Sequence, residues 1–543
     1  MEQPFIYNER PKRKLWTQIL FKVAQIVIFV GLLYKAWPKG TDTNKTLKKP
    51  AKQNVIFMVT DGMGPASLLL ARSFKQHRDQ LDLSEVLNID KHFIGTSRTR
   101  SNDSLVTDSA AGATAFSCGL KSYNGAIGVD SDKNPCGTIL EALKLQGYLT
   151  GLVVTTRITD ATPAAFSAHV DYRFQEDLIA EQQLGGYSLG RQVDLILGGG
   201  RCHFLPSSVP GGCRADDRNL IEEAVARNYS YVGDRAGFDA LNAGKNVTLP
   251  LLGLLARTDI PYDIDRDAQE YPSLAEQVQT ALLALEEVTK DSEHGFFLLI
   301  EGSRIDHAGH HNDPAAQVRE VLAYDAAYKK VLDFIDSTDV PTVAISTSDH
   351  ETGGLVTARQ VTPNYPDYLW YPSVLLNCTH SGEYLTRKVF GKRKQVDTQS
   401  AAFTEFIAKE IVEADMGILD YTQDEIDQIR QYSARPEALL YFLNNMVSAR
   451  SQTGWTTHGH SAVDVNIYAY SNSEYINDRL YRRDAYTGLL GNHENIEIGT
   501  FMETLTGVNL KEVTELVRDT KHSPGATFDA TSKHSMFEHA LEL

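Results

Sequence analysis

The sequence predicts an α/β protein built on a central, largely parallel sheet with helices on both faces. Three observations carry this: short β-rich runs alternate with helical patterns, the runs are apolar almost without interruption, and acidic residues follow several of them directly. The first run, NVIFMVT at residues 54–60, lacks the polar–apolar alternation of a half-exposed strand, so both of its faces are expected to be covered. LTGLVVTT (149–156), VDLIL (193–197), GFFLLI (295–300) and TVAIST (342–347) repeat the pattern. Between them, TILEALKLQG, SLAEQVQTALLALEEV and AQVREVLAYDAAYKKVLDFI space apolar residues by three and four, the period of an amphipathic helix.

Open sheets of this kind gather ligands beyond the carboxyl ends of their strands. Here Asp61 follows the first run, Glu301 follows GFFLLI, and Asp349 with His350 comes shortly after AIST. Carboxylates brought together at one edge repel one another unless cations lie between them. Asp306 and His310, four residues apart, share one face of a helical turn, and His458 and His460 precede another β-rich run in GWTTHGHSAVDVNIYAY. A single histidine reads most simply as a hydrogen-bonded or surface side chain. Several beside carboxylates at strand exits read as mixed oxygen and nitrogen ligands, the set that suits zinc.

The stretch VTDSAAGATAF (106–116) puts Ser109 in front of small residues. A serine opening a helix is most often its N-cap. The small neighbours also allow an anion to approach backbone N–H groups at the positive end of the helix dipole. Ser109 does not sit in a G-x-S-x-G turn, so a serine activated by metal fits better than a hydrolase triad.

The 543 residues are 42% hydrophobic, enough for one large domain with insertions, or for two or three. A formal charge of −17 argues against a nucleic-acid surface, and no nucleic-acid binding is expected. Residues 1–14 read as a basic cytoplasmic tail, 15–34 as a transmembrane signal-anchor with no small-residue cleavage site behind it, and 35–53 as a linker. The body is expected over 54–520, with an inserted subdomain at about 362–453 and a polar C-terminal tail at 521–543. Sequons at Asn228, Asn246 and Asn377, with Cys202 and Cys213 bracketing a Gly/Pro-rich loop, favour a lumenal or extracellular body. Cys118, in a small-residue run, reads as a buried thiol.

TDGMG at 60–64, VTDSAAGAT, EGSRIDHAGH, TSDHETGG and THGHSAVDV, in that order, resemble the motifs of the alkaline phosphatase family, most nearly its fungal vacuolar branch. The resemblance implies an alkaline-phosphatase-like fold and a nucleophile, Ser109, that becomes phosphoserine. It implies one zinc held by Asp306, His310 and His460, and a second held by Asp61, Asp349 and His350 with Ser109. It further implies a magnesium held by Asp61, Thr162 and Glu301, and an arginine, Arg173, that grips phosphate oxygens. His460 is preferred to His458 because the family ligand stands four residues before the D-V pair. Asp160, of bacterial type, and His307, of animal type, would lie near magnesium and phosphate. The implied activity is hydrolysis of phosphate monoesters of broad specificity, phosphopeptides included, to an alcohol and inorganic phosphate. The implied form is a homodimer anchored as a single-pass type II protein in the vacuolar membrane, with its catalytic domain in the lumen. The alternatives are a phosphodiesterase of the same superfamily and a non-catalytic metal-binding ectodomain.

Overall fold

The strands are β1 (Asn54–Val59), β2 (Phe93–Arg98), β3 (Leu149–Arg157), β4 (Leu195–Gly199), β5 (Ser230–Val232), β6 (Leu251–Leu254), β7 (Phe296–Glu301), β8 (Thr342–Thr347), β9 (Glu351–Thr352), β10 (His460–Ser461), β11 (Val465–Ser471) and β12 (Gly491–Glu494). In this computed structural model, which describes residues 47–518, ten of them form one sheet in the order β12-β2-β11-β8-β1-β7-β3-β4-β6-β5. Strand β11 runs antiparallel to β2 and β8, while the other pairings in this sheet are parallel. The sheet is therefore mixed at one side. β9 and β10 make a separate antiparallel pair that brings His460 opposite Thr352.

Strand β1 shows why the apolar runs needed cover on both faces. Val55 to Val59 are all fully buried. Val55, Phe57 and Val59 face Ala110, Ala113, Phe116, Phe166 and Phe501, whereas Ile56 and Met58 face Leu68, Val278 and Val331. The alternation follows from successive side chains pointing to opposite faces of a strand. Each such side chain contributes roughly 1.5–3 kcal/mol through burial. Helices consequently cover both faces, Ser109–Cys118 and Asn495–Thr506 on one, Leu274–Thr289 and Pro314–Ser337 on the other.

Within residues 362–453 the helices Gly382–Arg393, Gln423–Tyr432 and Pro436–Ser451 surround a cluster that includes Leu385, Val389, Phe403, Ile426 and Leu443. Leu70 and Phe74 of the Pro65–Arg78 helix complete that cluster, so this region packs onto the main body through shared apolar surface. Cys202 and Cys213 form a disulfide. The expectation of a buried thiol at Cys118 is corrected: it is bonded to Cys136, with Cα atoms 6.0 Å apart. The chain doubles back after Gly119 ends the helix, and no local pattern announces that return. Cys378 is the buried free thiol.

The basic tail 1–14, the membrane segment 15–34, most of the linker and the tail 521–543 lie outside the described residues. Among the described residues, no helix is long and apolar enough to cross a membrane.

Candidate metal centre and nucleophile

The acids expected at strand exits do converge. Asp61 follows β1 by one residue beyond Thr60, Glu301 ends β7, and Asp349 and His350 follow β8; all four residues are buried. β1 lies between β7 and β8 in the sheet, which is what draws these exits together. The backbone turns sharply after Asp61 at Gly62, whose φ of 77° is left-handed and where a Cβ would stand 2.5 Å from the Asp306 Cα. The small residues after Ser109 have the same purpose. A Cβ on Gly112 would come within 2.9 Å of the Asp349 Cβ, so only glycine lets the helix seat against the acidic loop.

Ser109 is the first residue of its helix and is not the cap. Asp108 is the N-cap, its side chain accepting from the Ala111 N–H at 3.0 Å. That corrects the simplest reading of the serine and leaves its hydroxyl free of capping. The Ser109 Oγ lies 3.1 Å from His350 Nε2.

Two groups of ligand-type side chains adjoin here: Asp61, Asp349 and His350, and Asp306, His310 and His460. In each group the ligand-type atoms lie within 4.8 Å of one another. The Arg304–His310 helix sets His310 Nε2 3.3 Å from Asp306 Oδ2, one turn apart. His460 Nε2 lies 3.6 Å from Asp306 Oδ1 and 3.2 Å from His310 Nε2. The His350 and His460 rings stack with centroids 3.5 Å apart, which places the two groups side by side. His458 stays outside both; its ring stacks on Tyr441 and its Nδ1 meets the His310 carbonyl at 2.9 Å.

The outer nitrogens of the three histidines decide their tautomers. His310 Nδ1 meets the His458 carbonyl, and His460 Nδ1 meets the Thr107 carbonyl at 2.8 Å. Thr352 donates its hydroxyl proton to Asp306 Oδ1, so it accepts from His350 Nδ1 at 3.1 Å. Carbonyl and hydroxyl acceptors favour the proton on Nδ1 and so turn all three Nε2 atoms inward, where Asp306 favours a second proton, or a cation, at His310 Nε2. The His310 and His460 Nε2 atoms, 3.2 Å apart, share a proton or a cation between them. The Asp61 Oδ1 and Asp349 Oδ2 atoms are buried without hydrogen bonds, which again asks for a cation.

The acids respond to this crowding. Burial, and then the charge on Asp349, raise the Asp61 carboxyl well above its ordinary range. Burial pushes Glu301 up to about 8, against the Ser303 and Thr162 hydroxyls that favour its charged form. Burial and the neighbouring Asp306 push Asp349 up to about 7. Asp306 goes the other way: burial opposes its charge, yet His310, His460 and His350 together hold it well below the usual range. Burial lowers His460 to about 4 and holds His350 well below its ordinary value, whereas Asp306 overcomes burial to raise His310. Three buried acids that resist ionising together are a site built to receive dications.

Thr162 stands two residues beyond Asp160, the cap of the Ala161–Ser167 helix. Arg173 is half-buried next to the residue that precedes the nucleophile, with Nη2 3.0 Å from Asp160 Oδ1 and Nη1 3.3 Å from Asp108 Oδ2. Burial disfavours the charge on Asp160, but Arg157 and Arg173 outweigh it and keep this carboxyl ionised. His307 accepts from Arg304 Nε at 3.3 Å, and burial lowers it. His311 is buried against the Tyr262 hydroxyl, and Asp313 caps the Pro314–Ser337 helix. Sequence reasoning missed Asp108, Thr352 and Arg157. Only Asp108 had a usable signal, an aspartate directly before a small-residue helix start.

Cations between these carboxylates would leave a positive basin containing one serine hydroxyl and one guanidinium, which matches a phosphate dianion. The fold and this edge of the sheet thus define a metal-binding α/β hydrolase of phosphate esters. The family profile described as alkaline phosphatase matches residues 52–508. The repressible alkaline phosphatase of Saccharomyces cerevisiae is 55% identical, over 98% of this chain and 95% of that protein. The alkaline phosphatase of Schizosaccharomyces pombe is 46% identical, over 94% and 92% respectively. Among solved structures, the cold-active alkaline phosphatase of a psychrophilic Shewanella sp. superposes with a TM-score of 0.67 at 30% identity, covering 83% of this chain and 99% of that one. The Thermus thermophilus alkaline phosphatase gives 0.68 at 26% identity, covering 89% and 99%. The chain belongs to the alkaline phosphatase family and is a phosphoric monoester hydrolase.

Proposed function

We propose that the chain hydrolyses phosphate monoesters of broad specificity through a phosphoserine at Ser109, with two zinc ions and one magnesium ion. Asp306, His310 and His460 would hold one zinc, and Asp61, Asp349 and His350 with Ser109 the other. Asp61, Thr162 and Glu301 would hold magnesium. When bound, these ions supply the positive charge that lowers the pKa of a serine hydroxyl and stabilises a leaving oxygen. The observation that carries the reading is Ser109 Oγ at 3.1 Å from His350 Nε2, beside the inward-facing Nε2 atoms of His310 and His460.

The chain's own residues account for the rest. Arg173, held on two sides by Asp108 and Asp160, presents its guanidinium to phosphate oxygens and orients phosphorus toward Ser109. His307 and Asp160 would stand beside the bound phosphate. The Ser109 hydroxyl gives up its proton, the Oγ–P bond forms as the bond from phosphorus to the alcohol oxygen breaks in line with it, and the alcohol oxygen takes up a proton as the alcohol leaves. Water then attacks phosphorus, the Oγ–P bond breaks, a proton returns to Ser109, and inorganic phosphate leaves. Acid quenching during turnover, followed by peptide mapping, is expected to find phosphate on Ser109. Phosphate on another residue, or on none, rejects this route.

We also propose that residues 15–34 anchor the protein as a type II membrane protein of the vacuole with the catalytic body in the lumen, as a homodimer. Two disulfides and three exposed sequon asparagines, Asn228, Asn246 and Asn377, support an oxidising, glycosylating compartment. Deleting residues 1–40 is expected to release soluble, active enzyme. Fractionation that still finds the truncated protein on membranes defeats the anchor assignment.

A further inference from the structure

Arg157, the last residue of β3, is buried and touches none of the inferred metal ligands, yet all three of its guanidinium nitrogens are committed. Nε meets Glu176 Oε2 at 2.9 Å, Nη1 meets Asp259 Oδ1 at 2.9 Å, and Nη2 meets Asp160 Oδ2 at 3.0 Å. Its backbone N–H also donates to Asp259 Oδ1 at 2.9 Å. Glu176 opens the Glu176–Gln183 helix and is itself held by the Thr159 hydroxyl and by His203. The guanidinium is thereby bolted to two carboxylates outside the inferred metal groups, Glu176 and Asp259, the latter 3.6 Å from His307 Nδ1, and its third arm reaches Asp160.

That arm takes only one oxygen of Asp160. The other, Oδ1, accepts from the Ala161 N–H at 2.7 Å and from Arg173 Nη2 at 3.0 Å. A carboxylate held at both oxygens cannot rotate about its Cβ–Cγ bond, so its Oδ1 stays aimed at Arg173. Arg173 continues the chain to Asp108, the cap that precedes Ser109. The contacts thus run from a planar anchor behind β3 to the guanidinium next to the residue that precedes the nucleophile. A lysine could contact one of the three acids but could not hold them all in one plane.

We propose that Arg157 is a positioning residue for phosphate recognition: by fixing the plane of Asp160 it holds Arg173 where it grips phosphate. This rests on the phosphate-binding role of Arg173 given above. The test is equilibrium binding of inorganic phosphate to the metal-loaded enzyme, with KM and kcat for a chromogenic monoester, for Arg157→Gln, Arg173→Ala and the double variant. Arg157→Gln is expected to weaken phosphate binding and raise KM roughly tenfold, with a smaller change in kcat. In the Arg173→Ala background the same substitution is expected to add little, because the group it positions is gone. An unchanged phosphate affinity in Arg157→Gln, or an equal loss in both backgrounds, overturns the proposal. If Arg157→Gln does not fold, Arg157→Lys is read in the same cycle; it keeps the charge without the planar fork. A loss of about threefold that vanishes without Arg173 is then expected, and wild-type affinity overturns the proposal. Should Arg173→Ala itself bind phosphate normally, it is the assignment of Arg173 that falls, a result distinct from failure of Arg157 alone.

Discussion

Ser109→Ala is expected to lower kcat/KM for a chromogenic phosphomonoester by roughly 10⁴-fold or more, with zinc and magnesium present, because the chemical route loses its nucleophile. Binding should survive. Arg173 keeps its contacts with Asp160 and Asp108, and the alanine removes only the Ser109 oxygen beside His350, leaving Asp61, Asp349, His350 and the whole Asp306, His310 and His460 group in place, so phosphate affinity is expected to stay within a few-fold of wild type. The fold should survive as well. Ser109 is 2% exposed and begins a helix whose cap is Asp108, so alanine removes no cap and leaves only the space of one oxygen. Alanine is also the better helix former. A Tm equal to or slightly above that of wild type, together with lost turnover, is the expected pair of results. Equal turnover by both proteins defeats the phosphoserine mechanism, and a large fall in Tm would show that the serine has a structural duty.

Chelated protein is expected to lose thermal stability as pH rises from about 6.5 to about 8, with the metal-loaded protein pulling further ahead across that range. The sign follows from which state holds more protons. Glu301 and Asp349 are raised to about 8 and about 7, and Asp61 is raised as well. Unfolded, these carboxyls titrate near 4. Between those values the folded chain holds protons that the unfolded chain has released, so stability falls with increasing pH. His310, raised by Asp306, acts in the same sense above its ordinary value. The opposing groups titrate lower. His460, lowered to about 4, and His350 add stability as pH rises through about 6.5, where unfolded histidine is half deprotonated, and this opposing contribution levels off by about pH 7.5, while the three raised carboxyls outweigh it. Asp306 contributes in the same opposing direction, but below about pH 4. Cations replace the missing protons in the loaded protein and remove the penalty. Scanning calorimetry at steps of pH, with chelator and with zinc and magnesium, reads both curves. A chelated protein whose Tm rises from pH 6.5 to 8 contradicts this account of the cluster.

Much of the site could be read from the chain because its parts are local. Asp61, Glu301, Asp349 and His350 stand immediately after apolar runs, and a parallel sheet lines up the ends of such runs at one edge. Asp306 and His310 needed only the period of a helix. The two-sided burial of β1 was written in its unbroken apolar residues, and Pro314 after Asp313 marked a capped helix start. Motif order carried the family. These features depend on neighbours within a few residues, where sterics and periodicity act directly.

Other features depended on segments far apart in sequence. The antiparallel entry of β11 and the Cys118–Cys136 bond each required the chain to be folded. The histidine tautomers came from Thr352, His458 and Thr107, and the three-way anchor at Arg157 from Glu176, Asp259 and Asp160. The sequence by itself determined the α/β class, the strand exits and the kinds of atoms offered there, because apolar pattern and side-chain chemistry are local properties. Only the tertiary structure decided which nitrogen faces inward, which acids are crowded together and which arginine steadies another. Those depend on distances of about 3 Å between residues brought together by packing alone.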